Sequence, residues 1–224
     1  MTSLKNHGIS KGNALELELV ALATKFDPAF KDLRDNRNLN DIVAHYMKEY
    51  NDNVSTYVDT SYRRDVRTNE EKLVNLLLGF SLEDMSLYYL SKVKNIAISN
   101  NQSYSGRTIQ NLSNIVENDF QIHINSTVYD VEFKTIATKI EESSFRIKES
   151  NWNRYKKERV LILGYEIQTN RMFFLNPNDT KWKDRTPEPF FGFGGKLCYV
   201  FKDTDFDFIP LSKISLQHFK DQLT

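Results

Sequence analysis

The chain has 224 residues, 40% of them apolar and 12% aromatic, a composition that is ordinary for a globular protein with a buried core. Its 30 Lys and Arg balance its 30 Asp and Glu, so the formal net charge is zero and any nucleic-acid-binding surface must be local. The single Cys198 excludes an intramolecular disulfide and a multi-cysteine zinc site, and we expect it to be buried. No stretch is apolar enough for a signal peptide or a membrane span, so we expect no membrane partner and a cytoplasmic protein.

The N-terminal part, residues 1–99, is predicted to be mostly helical. Apolar residues recur at helical spacing in residues 14–26 and 39–50. Thr68 followed by Glu71 fits a capping box that opens a third helix, and we expect that helix to end at Gly79. A fourth helix is then expected over residues 81–98.

A hairpin is predicted within residues 119–135. A polar linker at residues 100–106 and a helix at residues 107–117 are expected to precede it. Two alternating runs flank a short polar break, and residues two apart in a strand share a face. The hairpin therefore gathers on one face Asp119, Asp130, Glu132 and Lys134. This face is either a site of chemistry or a solvated sheet surface.

Residues 160–167 begin as a continuous apolar run, which is typical of a strand covered on both faces. Together with residues 128–135 and a helical crossover at residues 136–159, this strand predicts a right-handed parallel β-α-β unit. A turn at Thr169-Asn170 then leads into a strand at residues 172–175. We expect an α/β or α+β fold whose central mixed β-sheet is flanked by helices.

We predict a single domain over residues 1–224, in which residues 176–224 form a C-terminal part of loops and strands. That part is loop-rich at first and then aromatic, and its glycines at positions 192, 194 and 195 indicate a turn between aromatic strands. A short helix is expected over residues 211–223.

Asp119 opens one predicted strand, and Glu132-Phe133-Lys134 lies on the next. This pattern resembles the motif of the PD-(D/E)XK nuclease superfamily, which includes most type II restriction endonucleases. Asn118 stands where the family often has a proline, and that proline is not a ligand. The resemblance covers residues 107–175 and implies a restriction-endonuclease-like catalytic core.

The resemblance implies a Mg²⁺ ion held by Asp119 and Glu132, with the backbone carbonyl of Phe133 as a further ligand. Carboxylates and water are the ligands that Mg²⁺ prefers, and such an ion generates hydroxide and neutralises phosphate charge. Lys134 is expected to orient or deprotonate the attacking water. Asp130 is a candidate ligand of a second ion.

The family often adds an acidic residue from its helical part, and the candidates here are Glu117, Glu70 and Glu71. Glu71 already has a capping role. His123 shares the polar face, where we expect it to be a hydrogen-bonding surface residue.

Residues 145–159 are distinctly positive in an otherwise neutral chain, and Trp152 and Tyr155 are interleaved among their cations. A second basic group follows Asp179, and a third comprises Arg63, Arg64 and Arg67. The alternative interpretation is a solvated helix face. The side chains that we expect at DNA are Arg146, Lys148, Asn151, Arg154, Lys156, Lys157, Lys181, Lys183 and Arg185.

The leading hypothesis is a Mg²⁺-dependent, sequence-specific endonuclease of the type II restriction class that cleaves double-stranded DNA. The resemblance implies a prokaryotic cytoplasm and a homodimer whose two-fold symmetry matches a palindromic site. One alternative is a structure-selective or repair nuclease of the same fold, similar to a junction resolvase. The other is a nucleic-acid-binding or interaction protein without enzymatic activity.

Overall fold

The structure is a computed structural model that divides the chain into two compact units, one helical and one built on β-sheets. It describes residues 11–27, 37–59, 66–94, 96–99, 108–109, 118–124, 126–137, 140 and 144–223. The helical unit comprises residues 2–92 and 102–116, and the sheet unit comprises residues 93–101 and 117–224.

The described helices of the helical unit are α1 (Lys11–Phe26), α2 (Arg37–Asn53) and α3 (Asn69–Ser91). The first two confirm the predicted helices, with ends that differ by at most three residues. The capping box before α3 is also confirmed: the amide of Glu71 donates to the Thr68 hydroxyl at 3.2 Å, and the Thr68 amide donates to the Glu71 carboxylate at 2.8 Å.

The predicted helix end at Gly79 is wrong, because α3 runs through it as one helix of 23 residues. Gly79 does not adopt the left-handed conformation with which glycine ends helices. Ser81 does not open a new helix either, since its hydroxyl donates to the carbonyl of Leu78 at 2.9 Å inside α3. The helix stops at Ser91, and Ala97–Ser99 is a strand. The predicted linker at residues 100–106 and most of the predicted helix at residues 107–117 lie outside the described residues.

The sheet unit contains a six-stranded mixed sheet and a three-stranded antiparallel sheet. The central sheet has the order β1-β2-β3-β5-β6-β9, with β1 (Ala97–Ser99), β2 (Phe120–Ile124), β3 (Thr127–Ile136), β5 (Leu161–Glu166), β6 (Arg171–Leu175) and β9 (Ile209–Pro210). The second sheet has the order β4-β8-β7, with β4 (Phe145–Lys148), β8 (Lys196–Phe201) and β7 (Glu188–Phe190). The sheet unit also contains the helices α4 (Glu149–Glu158) and α5 (Leu216–Leu223).

The predicted central mixed sheet flanked by helices is confirmed. β2 and β3 form the expected antiparallel hairpin, and β3 pairs with β5 in parallel from Val131 opposite Leu161 to Ile136 opposite Glu166. β5 and β6 form the second expected hairpin. Every residue of β5 is buried, as the continuous apolar run predicted.

The crossover between β3 and β5 differs from the prediction, because it contains a strand as well as a helix. Apolar Phe145 and Ile147 alternate with charged Arg146 and Lys148, which is the period of two that is typical of a strand. These residues therefore form β4, which pairs with β8, and are not part of a crossover helix. The closing helix is also shorter than predicted. It begins at Leu216, after a short 3₁₀ turn.

The main core of the sheet unit lies where α4 and the second sheet cover one face of the central sheet. It is built mostly from aromatic rings, including Phe145, Phe173, Phe201, Phe206 and Trp152. The other face carries Phe174, whose ring packs edge to face against Phe219 of α5 at 4.7 Å. Cys198 is fully buried, as expected.

Candidate functional site

Asp119 and Glu132 face each other across the end of the β2–β3 hairpin. Phe120 is paired with Val131, so continuing the register by one residue places Asp119 opposite Glu132. Oδ2 of Asp119 accepts a hydrogen bond from the amide of Phe133 at 2.6 Å. The amide and carbonyl of a residue in an antiparallel strand project to the same side, so the carbonyl of Phe133 faces this end of β2 as well. The structure thus brings these three predicted ligands together.

Glu132 is not on a solvated face, because only 7% of the residue is exposed. Its Oε1 accepts from the hydroxyl of Tyr155 at 2.8 Å and from the ammonium of Lys134. The guanidinium of Arg154 lies 3.6 Å from Oε2. A buried carboxylate is tolerated only with such partners, and here two cations and a phenol supply them.

Lys134 is held as an ammonium by the carboxylates around it. Burial alone lowers the pKa of this amine, but the negative charges of Glu132 and Asp119 outweigh burial and raise the pKa above its ordinary value. Burial raises the pKa of Tyr155 to about 12. The positive charge of Lys134 lowers this pKa, and the negative charge of Glu132 raises it. At neutral pH both side chains therefore donate protons in hydrogen bonds to Glu132.

Tyr155 was not among the predicted site residues, although its position in α4 carries a usable signal. Trp152 and Tyr155 lie three residues apart, so they share the buried face of an amphipathic helix. A buried tyrosine hydroxyl requires a partner, and Glu132 in β3, the strand that opens the crossover, supplies it. Arg154, predicted at DNA, also belongs here: besides Glu132, it donates to Oδ1 of Asn118 at 3.2 Å.

Asp130 lies two residues before Glu132 on the same face of β3. Its Oδ1 accepts from Nε2 of Gln121, the residue directly opposite, at 2.9 Å. It also lines a cavity of about 600 Å³ together with Arg159 and Asn176. Further along β2, Nε2 of His123 lies 2.8 Å from the hydroxyl of Ser99 in β1, as a hydrogen-bonding residue would.

Two of the three candidates for a further acidic residue, Glu70 and Glu71, belong to the helical unit, and the contacts described for them lie within that unit. Glu117 lies outside the described residues. Glu71 belongs to the helical unit, where its hydrogen bonds to Thr68 hold the pKa of its carboxyl below the ordinary value. Glu70, in the same unit, accepts from the hydroxyl of Tyr50 at 2.7 Å.

The donor set at the hairpin fits a small hard cation. In the described ranges of the chain, no group of three His, Cys, Asp or Glu side chains is placed to bind a metal ion. Mg²⁺, however, is commonly held by one or two carboxylates, with water and substrate phosphate completing its octahedron. Asp119, Glu132 and the carbonyl of Phe133 supply oxygen donors of that kind.

Several of the cations predicted at DNA have partners within the protein. Arg185 binds Asp205 through both terminal nitrogens, at 2.7 and 2.9 Å, and its guanidinium lies against the rings of Trp182 and Phe201. Lys181 lies 3.8 Å from Asp179 and over the ring of Trp182. These contacts give Arg185 a structural role, whereas Lys181 is exposed.

Other predicted DNA contacts are available at the surface. Four of them are exposed: Asn151, Lys156, Lys157 and Lys183. Arg146 and Lys148 are half-buried in β4, where each cation lies over a phenylalanine ring, at 4.3 Å from Phe190 and 5.1 Å from Phe193. In the third basic group, Arg67 is exposed, and residues 63 and 64 lie outside the described residues.

Comparison of the chain with protein-family models, with curated proteins and with solved structures finds no match. Within the described ranges, no helix combines the length and the apolar character needed to cross a lipid bilayer.

Proposed function

We propose that this protein is a Mg²⁺-dependent endonuclease of the type II restriction class that hydrolyses phosphodiester bonds in double-stranded DNA. The observation that carries the proposal is the cross-strand placement of Asp119 against Glu132, with Lys134 two residues further along β3. Two acids that can hold a metal ion, followed by a lysine, can supply the charge stabilisation that phosphodiester hydrolysis needs.

In this proposal Asp119 and Glu132 bind the Mg²⁺ ion, and the carbonyl of Phe133 completes the protein's share of the ligands. An ion held there would supply neutralisation of the phosphate charge and a lower pKa for a coordinated water. Asp119 is fixed through its bond to the Phe133 amide, and Glu132 through Tyr155 and Arg154. Such fixing reduces the entropy that substrate binding would otherwise cost.

Lys134 acts in this proposal as a donor and not as a base in the resting protein. Because its carboxylate neighbours keep the amine protonated, it donates hydrogen bonds to the attacking water or to a phosphate oxygen. An ammonium in that position offsets the negative charge that develops in the transition state.

The substrate and the assembly are inferred from charge and symmetry. Lys156 and Lys157 are exposed on α4, the helix that supplies Tyr155 to the site, and can contact phosphates beside it. A homodimer would place one site at each strand of a palindromic sequence. An interaction protein without activity is the competing proposal, because the partners of Glu132 also satisfy a purely structural ion network.

Incubation of the protein with supercoiled plasmid and Mg²⁺ tests the proposal. We expect discrete linear fragments from the wild type, a loss of cleavage of about 100-fold or more from Lys134→Ala, and a similar loss from Asp119→Asn. Lys213→Ala removes an exposed lysine elsewhere in the sheet unit and is the matched control, with unchanged cleavage.

Each other outcome decides between the alternatives. Cleavage of four-way junctions but not of linear duplexes identifies a structure-selective nuclease. Absence of cleavage of any of these substrates, or undiminished cleavage by folded Lys134→Ala, refutes the nuclease proposal. In that case the absence of any stabilisation by Mg²⁺ in a thermal shift assay identifies the ion network as structural.

A further inference from the structure

The second sheet presents a face with three cations, opposite the face that packs in the core. In β4, Phe145 and Ile147 point into the core, so Arg146 and Lys148 lie on the other face. Lys148 is paired with Cys198, and Lys196, two residues earlier in β8, is paired with Phe190. The three cations and Phe190 therefore share what we call the outer face.

The loop between β7 and β8 adds phenylalanines at the edge of this face. Phe191 is 87% exposed, which makes it the most exposed aromatic residue among those described. The rings of Phe190 and Phe193 pack edge to face at 5.2 Å. Two of the three phenylalanines are thus fixed against each other, and the third projects into solvent.

Glycine is required at several positions for this loop to form. A Cβ at Gly192 would lie 2.4 Å from the ring of Phe190, so a side chain there would displace the ring. Gly194 and Gly195 have φ of 71° and 78°, in the left-handed region that favours glycine. The close approach and the turn together set the position of the rings.

Cations and rings are interleaved on the outer face. The guanidinium of Arg146 lies 4.3 Å from the centre of the Phe190 ring, and the ammonium of Lys148 lies 5.1 Å from that of Phe193. Lys196 is exposed beside them, and Glu188 is the acidic residue of this face in the part of the chain that the structure describes. The face is positive although the chain as a whole is neutral.

A nucleic-acid strand with unpaired bases matches this combination of exposed aromatic rings and cations. The flat faces of the bases stack on aromatic rings, and the phosphates pair with nearby cations. In a duplex the bases are already stacked on each other, so Phe191 would contact only the sugar-phosphate backbone. A second copy of this face is a poor partner, because a two-fold interface would bring two copies of the same positive surface together.

We propose that the outer face of the second sheet binds single-stranded nucleic acid. Bases stack on Phe191 and Phe193, and phosphates contact Lys148 and Lys196. The proposal rests on the proposed function only in expecting the strand to be DNA, since none of Asp119, Glu132 and Lys134 lies on this face.

Fluorescence anisotropy of labelled oligothymidylate, without divalent cation, tests this proposal. We expect Phe191→Ser to weaken binding about 10-fold and Phe191→Trp to retain it, because loss of one stacked base has an effect of that order. Lys196→Ala should reduce the salt dependence of binding. Val128→Ser, which removes another exposed apolar side chain of the sheet unit, is the matched control and should bind as the wild type does.

The assay is repeated with Lys134→Ala protein, so that a failure of cleavage and a failure of strand binding are observed separately. Equal binding of oligouridylate supports the proposal and shows that the sugar is not read, whereas weaker binding of oligouridylate assigns the face to DNA. Binding of a duplex as tight as that of the single strand overturns it. So does binding only to phosphatidylserine vesicles, or a dimer in sedimentation that Phe191→Ser dissociates.

Discussion

The hydroxyl of Tyr155 lies 2.8 Å from Oε1 of Glu132 and so joins helix α4 to the middle of strand β3. Tyr155 is 1% exposed, and its pKa of about 12 keeps the phenol protonated at any pH at which the protein would be assayed. The helix of the crossover therefore sets the orientation of the carboxylate in the strand that precedes it.

We predict that Tyr155→Phe lowers the free energy of unfolding by about 1.5–3 kcal/mol, the usual value of a hydrogen bond to a charged group. If Glu132 binds Mg²⁺, the concentration of Mg²⁺ needed for half-maximal cleavage should rise about 10-fold or more, as it does when residues that orient metal ligands are lost. Urea denaturation and plasmid cleavage at graded Mg²⁺ measure the two effects.

The matched control is Tyr165→Phe. Its hydroxyl donates to Oδ1 of Asn170 at 2.9 Å, and its ring stacks on Phe133 on the opposite face of the sheet from Glu132. This variant should lose stability without changing the Mg²⁺ requirement. Equal Mg²⁺ requirements for both variants would show that Tyr155 has no positioning role.

Glu166 stabilises the sheet unit at neutral pH, and we expect this contribution to be lost at acid pH. It is fully buried and accepts from the amide of Ile140 and from Nε of Arg171, both at 2.8 Å, and from the hydroxyl of Thr169. Burial raises the pKa of its carboxyl, but Arg171 and the hydrogen bonds outweigh burial and bring it below the ordinary value.

Because the folded pKa of Glu166 is lowered, its contribution is present above the unfolded value of about 4.3 and is lost as pH falls through the folded value. Glu166→Gln should lower the unfolding free energy by about 1.5–3 kcal/mol at pH ~7. The difference from wild type should shrink below pH ~4, as measured by urea denaturation at graded pH. Asp184→Asn, at an exposed position, should show neither effect, and a difference for Glu166→Gln that is constant with pH would contradict the prediction.

Arg185 should behave as a structural residue and not as a DNA contact. Arg185→Lys breaks the two-point bond to Asp205 and the packing on Trp182 and Phe201, and we predict a loss of about 1.5–3 kcal/mol in unfolding free energy. Lys183→Ala, two residues away and exposed, should change stability by less than about 0.5 kcal/mol. Unchanged stability together with a weaker salt dependence of DNA binding in Arg185→Lys would reverse the assignment.

Gly164 in β5 leaves room for the ring of Phe173 in the neighbouring strand. A Cβ at position 164 would lie 2.0 Å from that ring, which is held by Phe145 and Phe206 at centroid distances of 5.5 and 4.0 Å. We predict that Gly164→Ala lowers the unfolding free energy by about 1–3 kcal/mol through overpacking. Both tryptophans lie in the sheet unit, so their fluorescence reports this change.

The contrasting substitution is Gly79→Ala in α3, where an added Cβ meets nothing within 4 Å. It should stabilise the helix by about 1 kcal/mol, measured by far-ultraviolet circular dichroism during heating. Equal effects of the two substitutions would mean that neither depends on its surroundings.

Features set by nearby residues could be predicted from the sequence. The alternation in residues 119–135 identified the hairpin and the polar face that Asp119 and Glu132 share, because a strand has a strict period of two. The capping box at Thr68 and the buried strand β5 followed from local patterns of the same kind.

Features set by distant partners could not be predicted in this way. β4 is only four residues long and runs directly into α4, and its partner β8 begins at Lys196, far along the chain. The bond from Tyr155 to Glu132 likewise depends on how the crossover packs. The helix end predicted at Gly79 was wrong for a different reason. Glycine often ends helices, but buried leucines on both sides of Gly79 stabilise α3 as one continuous helix.

The parallel pairing of β3 with β5 has a consequence for how the protein folds. Parallel strands cannot zip from a tight turn, so β5 can join β3 only after the whole intervening chain has been gathered, at a cost in loop entropy. That chain includes β4, whose own partner β8 is synthesised later still. Glu132 would thus be exposed in a nascent chain until its phenol and guanidinium partners are synthesised, so we expect the site to form only once α4 has packed beside β3.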